Sequence, residues 1–120
     1  ITSDTIVLLE GEILGKPTDA THATEMLHRL AGKSHDVVTG VCLRSTQKKH
    51  SFSVSTRVYF KPLSTEQINY YVANYKPFDK AGSYGIQEWI GYVGIDKIEG
   101  SYFNVVGLPT AELWDALKAF

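Results

Sequence analysis

Ser51–Phe60 alternates without a break. Phe52, Val54, Thr56, Val58 and Phe60 fall on one side of an extended chain; Ser53, Ser55, Arg57 and Tyr59 fall on the other. A period of two is that of a strand with one buried face. The run before it, His35–Ser45 (HDVVTGVCLRS), is rich in β-branched residues, and the polar Thr46–His50 (TQKKH) between the two reads as a turn. Together they predict a long antiparallel hairpin, and any fold for this chain has to be built around it.

The flanking segments supply the other elements. Ile1–Leu9 is almost wholly β-branched or aliphatic and reads as a strand, Glu10-Gly11 as a hairpin turn, and Glu12–Leu14 as a short return strand. From Thr18 to Leu30 the apolar residues Ala20, Ala23, Met26, Leu27 and Leu30 recur at helical spacing, with Thr18 or Asp19 as N-cap and Gly32 as stop. Pro62 ends the hairpin, and Ser64 with Gln67 forms a capping box that opens a helix to about Asn74. Pro77–Gly91 is irregular and glycine-bearing. Tyr92–Ile98 reads as a strand, Glu99–Pro109 as a loop with another short strand, and Thr110–Phe120 as a final helix with Leu113, Trp114, Leu117 and Phe120 on its buried face. No repeat or linker interrupts the chain, so 1–120 reads as one domain. Strands and helices are mixed without a regular βαβ rhythm, which predicts an α/β (α+β-like) fold around a mixed, strongly twisted sheet.

Composition closes several routes. Apolar residues make up 43% and charged residues 21%, which argues against disorder, and a net charge of −1 without blocks of one sign gives no basic surface for nucleic acid. No stretch approaches the roughly 20 apolar residues that span a bilayer. The single cysteine, Cys42, can make no internal disulfide, so a cytoplasmic, reducing setting is expected. His22, His28, His35 and His50 show no metal-ligand spacing, and no serine or cysteine sits in a nucleophile motif.

Four places remain for chemistry. Asp4 lies within a strand, where a carboxylate either caps neighbouring backbone or faces a cleft; there it could hold a divalent cation or take a proton from water. Lys16, in Gly15-Lys16-Pro17, precedes a helix N-terminus and would suit phosphate, though an exposed loop lysine looks the same. In FDKAGSYGIQ (Phe78–Gln87), Lys80 and Gln87 are separated by two glycines, and the Gln87 amide suits the edge of a base, while Tyr84 either stacks or packs. Asn104, in EGSYFNVVGLP, reads as a turn residue.

In order along the chain, SDT on a strand, LGKP before a helix, HDVVTGV, DKAGSYGIQ and EGSYFNVVGLP resemble the Maf family, the septum formation proteins, over essentially all 120 residues. The resemblance implies an inosine-triphosphate-pyrophosphatase-like fold with a cleft between two lobes. It implies a nucleoside triphosphate pyrophosphatase acting on dTTP and UTP, because Tyr84-Gly85-Ile86-Gln87 is similar to the branch preferring those substrates. Asp4 would be the proton acceptor and a candidate metal ligand. Thr5 and Gln87 would bear on substrate choice, with Lys16 and Lys80 near the phosphates and Mg²⁺ or Mn²⁺ as cofactor. Members are often homodimers. The departures are SDT in place of the commoner ADT, and Trp89 close after the glutamine. Members also begin with a Ser-x-Ser-Pro-Arg-Arg type segment before the aspartate strand, so the resemblance implies that Ile1 is not a natural start and that about the first third is missing. The competing expectation is a nucleotide-binding or division-regulating interaction protein without turnover in this truncated form.

Overall fold

A computed structural model describes residues 1–120. Its strands are β1 (Thr2–Leu9), β2 (Glu12–Leu14), β3 (Ser34–Arg44), β4 (Lys49–Phe60) and β5 (Ile95–Glu99). Its helices are α1 (Ala20–Leu30), α2 (Thr65–Tyr75), α3 (Trp89–Gly94), α4 (Tyr102–Val106) and α5 (Thr110–Ala119), with a 3₁₀ turn at Ala81–Ser83. The architecture is α/β, as expected.

The β3–β4 hairpin is the spine of the sheet, running in register from Ser34↔Tyr59 to Arg44↔Lys49. Its turn is tighter than the polar run suggested, closed by Ser45 N–H to the Lys48 carbonyl at 2.9 Å. The strand order is β2-β1-β3-β4-β5, and every pairing is antiparallel, which corrects the expectation of a mixed sheet. The physical reason lies in the connections. The β1–β2 hairpin reverses the chain, and α1 then carries it across β1 to join the far side, where it must again run against β1.

The local signals at the helix starts hold. The Asp19 carboxylate caps α1 by accepting from His22 N–H at 2.8 Å. Ser64 and Gln67 form the capping box of α2 reciprocally, at 3.1 and 2.9 Å. The buried side of α1 (Ala23, Leu27, Leu30) meets Val7, Leu9, Val37, Val58 and Phe60 of the sheet and Ile68, Tyr71 and Val72 of α2. Each such side chain contributes about 1.5–3 kcal/mol on burial. No helix is long and apolar enough to cross a membrane.

Three expectations fail. Tyr92–Ile98 is not one strand: its first half belongs to α3, and β5 begins only at Ile95, opposite Phe60. Tyr and Val favour strands, but that preference yields to context, and here the helix buries Ile90 and Gly94, with Gly94 set against Leu63 and Phe60. The short strand expected within Glu99–Pro109 is helix α4, started by the Ser101 hydroxyl accepting from Asn104 N–H at 3.2 Å. On α5, Leu113 is buried in a small cluster with Val41 and Leu43, while Trp114 and Leu117 stay 63% and 41% exposed. That helix packs on the end of the hairpin near Val41, Leu43 and Phe52, and with Leu108 these cover only part of its face.

Candidate active site

A short β2 creates the site. It pairs only with Val7–Leu9, so β1 from Thr2 to Ile6 has no strand on that side. The segment from Asp79 to Gln87 touches β1 at Val7 and shares an open pocket with Ser3, Asp4 and Thr5. Gly82 N–H donates to the Gly15 carbonyl at 3.1 Å, tying this segment to the turn that carries Lys16. Gly82 has φ +72°, and a Cβ there would stand 3.0 Å from a Val7 methyl, so glycine permits both the backbone shape and the close approach.

The result is a pocket of about 310 Å³. Asp4, Thr5, Lys16, Lys80 and Gln87 all line it, with Asp79 and Tyr84 on the same side as Lys80 and with Val105–Gly107, at the end of α4, on another wall. Every residue singled out for substrate or proton chemistry is thus brought together. A larger cavity, about 460 Å³ beside Lys48 and Phe120, contains none of them.

Asp4 is exposed, so its charge carries little desolvation cost. One carboxylate oxygen accepts from Thr5 N–H at 3.0 Å, and the other has no protein partner. Its neighbour across the ladder is Gly40, around which the space is open. At the N-terminus of α1 that follows Lys16, the Asp19 side chain accepts from His22 N–H. The lysine itself lines the pocket. Lys80 Nζ lies 3.1 Å from Asp79 Oδ1. Hydrogen bonding to Lys80 holds the Asp79 carboxyl below its usual range, and the charge of Lys16 adds a smaller pull in the same direction.

The Thr5 hydroxyl is engaged in the wall. It lies 2.9 Å from Thr39 Oγ1 and 3.4 Å from the Gly107 carbonyl. Asn104, expected in a turn, is instead fully buried on α4. Its amide nitrogen reaches the carbonyls of Val37 and Val54 at 3.1 and 3.0 Å, fastening the pocket wall to β3 and β4. Nothing local marks this role. The only available signal was a polar residue inside an apolar YFNVV run.

Tyr84 packs rather than stacks on solvent. Its hydroxyl lies 2.6 Å from Nε2 of His35, which is 3% exposed and stacked on Phe60. Burial lowers the His35 pKa from 6.5 to about 4, against a small opposing pull from Asp36. Between about pH 4 and 6.5 the unfolded chain therefore binds a proton at His35 that the folded chain refuses. The stabilisation is complete above the unfolded value and is lost as pH falls toward the folded one. It amounts to about 3 kcal/mol. Urea unfolding of the protein and of His35→Gln across this range should show a shallower pH dependence in the variant by about that amount. Parallel curves would refute it.

No group of three or more His, Cys, Asp or Glu side chains gathers anywhere in the structure. Asp4 and Asp79 are the pocket's carboxylates, and Asp79 is already paired with Lys80.

A family model described as "Maf-like protein" matches residues 1–120. The chain is 58% identical over 118 residues to a dTTP/UTP pyrophosphatase of Christiangramia forsetii, covering 98% of this chain and 60% of that protein. It is 53% identical over 120 residues to one of Porphyromonas gingivalis, covering 100% and 60%. It is 56% identical over 118 residues to one of Phocaeicola vulgatus, covering 98% and 61%. The chain therefore spans about 60% of the length of the curated relatives it matches.

Proposed function

Because this chain belongs to the Maf-like protein family, we propose that residues 1–120 form one Maf-like domain of a nucleoside triphosphate pyrophosphatase that hydrolyses dTTP and UTP to the monophosphate and pyrophosphate. One observation carries the reading. Asp4, Thr5, Lys16, Lys80 and Gln87, which lie far apart in sequence, line a single pocket. The names of relatives at 53–58% identity support the same substrates.

In this reading Asp4 orients the attacking water and takes its proton, using the oxygen that Thr5 leaves free. Lys16 and Lys80 neutralise phosphate oxygens, so the Asp79–Lys80 pair opens or shares its ammonium when the triphosphate arrives. Cleavage then depends mainly on positioning and charge. Gln87, exposed at the pocket, pairs with the base edge, and a base with the wrong edge leaves its amide unmatched once the nucleotide covers it. Thr5 acts on selectivity through the wall it shares with Thr39 and Gly107.

A divalent cation fits this donor set only in part. Mg²⁺ commonly takes one or two carboxylates and completes its shell with water and substrate phosphate. Asp4 would be its ligand from this chain, and the ion would supply charge neutralisation on the phosphates. Cys42 is a free thiol, which suits the cytoplasm.

The test is pyrophosphate release across a panel of nucleoside triphosphates, with Mg²⁺ or Mn²⁺, by the full-length protein. Release from dTTP and UTP well above release from the purine nucleotides is expected. Binding without release from any nucleotide would end the enzymatic reading.

A further inference from the structure

Residues Gly85–Glu88 form a turn closed by Glu88 N–H to the Gly85 carbonyl at 3.0 Å, and Gln87 is its third residue. Both ends of that turn are held by one atom outside the pocket. The Tyr71 phenol oxygen, on α2, accepts from Gly85 N–H at 3.0 Å and donates to Glu88 Oε1 at 2.5 Å. Tyr71 has no exposed surface, stacks on Tyr75 at 5.1 Å and belongs to the main core, so its ring cannot follow the turn if the turn moves. Burial, and secondarily the Glu88 carboxylate, raise its pKa, which keeps the phenol protonated as a donor.

We propose that Tyr71 is a positioning residue for base selectivity, fixing the Gly85–Glu88 turn so that the Gln87 amide meets the base edge in one orientation. This rests on the nucleotide-hydrolysing reading above. Selectivity that comes from a single amide demands a fixed amide, because a side chain free to shift can turn its donor or acceptor toward either edge. Displacement by about 1 Å is enough to cost 10²-fold in a well-positioned site. The bridge from Tyr71 supplies the rigidity that a glycine-containing turn lacks.

The test compares kcat/KM for UTP and CTP, which differ only at the edge a glutamine would read, in the full-length protein. Tyr71→Phe should lower the UTP-to-CTP ratio about tenfold or more. Glu88→Ala, which breaks the same bridge without altering the core, should lower it in the same direction. In a Gln87→Ala background, Tyr71→Phe should leave the ratio where Gln87→Ala put it. A purely structural role for Tyr71 would reduce hydrolysis of both nucleotides together and leave the ratio alone. An unchanged ratio in both Tyr71→Phe and Glu88→Ala, in a protein that hydrolyses UTP, overturns this inference only. A wild-type protein that does not hydrolyse UTP removes the functional reading and this inference with it.

Discussion

Asp4→Asn in the full-length protein should, on the proposed function, lower the rate of pyrophosphate release from dTTP by about 10²- to 10⁴-fold, with nucleotide affinity and stability nearly unchanged. The substitution is isosteric, and the contact it must preserve is small. The Asp4 oxygen that accepts from Thr5 N–H can be replaced by the amide oxygen of asparagine in the same place. Asp4 is exposed, so no buried charge is removed, and the stability change should stay within about 0.5 kcal/mol. What disappears is the ability to take a proton and the negative charge offered to a cation. Single-turnover hydrolysis together with nucleotide titration separates these effects. Weaker binding at an unchanged rate would make Asp4 a binding residue, and full activity would assign water activation elsewhere.

Gly91→Ala should destabilise the fold by about 3 kcal/mol or more, and it should damage the site as well. A Cβ at Gly91 would overlap the Ile86 carbonyl oxygen and stand 3.1 Å from the Ile86 Cα. The obstacle is backbone, so no rotamer change relieves it. Either α3 or the turn holding Gln87 has to move. Denaturant unfolding should show the loss of stability, and the folded fraction should bind nucleotide more weakly than the parent. A variant with the parent's unfolding midpoint would mean that α3 does not sit against Ile86 in solution.

The boundary between α3 and β5 was not legible in the sequence. Tyr92 and Val93 favour a strand, yet they stand in a six-residue helix that ends at Gly94, before β5 begins at Ile95. Asn104 is similar: its partners Val37 and Val54 lie 67 and 50 residues away, so no local pattern could separate a turn asparagine from a buried clamp. Tyr71 falls within the helix expected from Ser64 to about Asn74, yet its phenol oxygen reaches a turn 14 to 17 residues further on.

Elements with a local cause were legible in the sequence. Alternation set the faces of β4, Asp19 and Ser64 marked the starts of α1 and α2, and Glu10-Gly11, both at positive φ, turned β1 into β2. The order of its motifs also indicated the family. Packing, and no local signal, sets Asp79–Gln87 beside β1 at Val7 and puts Lys80 and Gln87 in one pocket with Asp4. It likewise decided the antiparallel sheet, the helices α3 and α4, and the partners of Asn104 and Tyr71. The division follows the reach of the forces. Propensity, capping and periodicity act over one or two turns of chain, whereas a pocket is made of groups that meet only after packing has placed them.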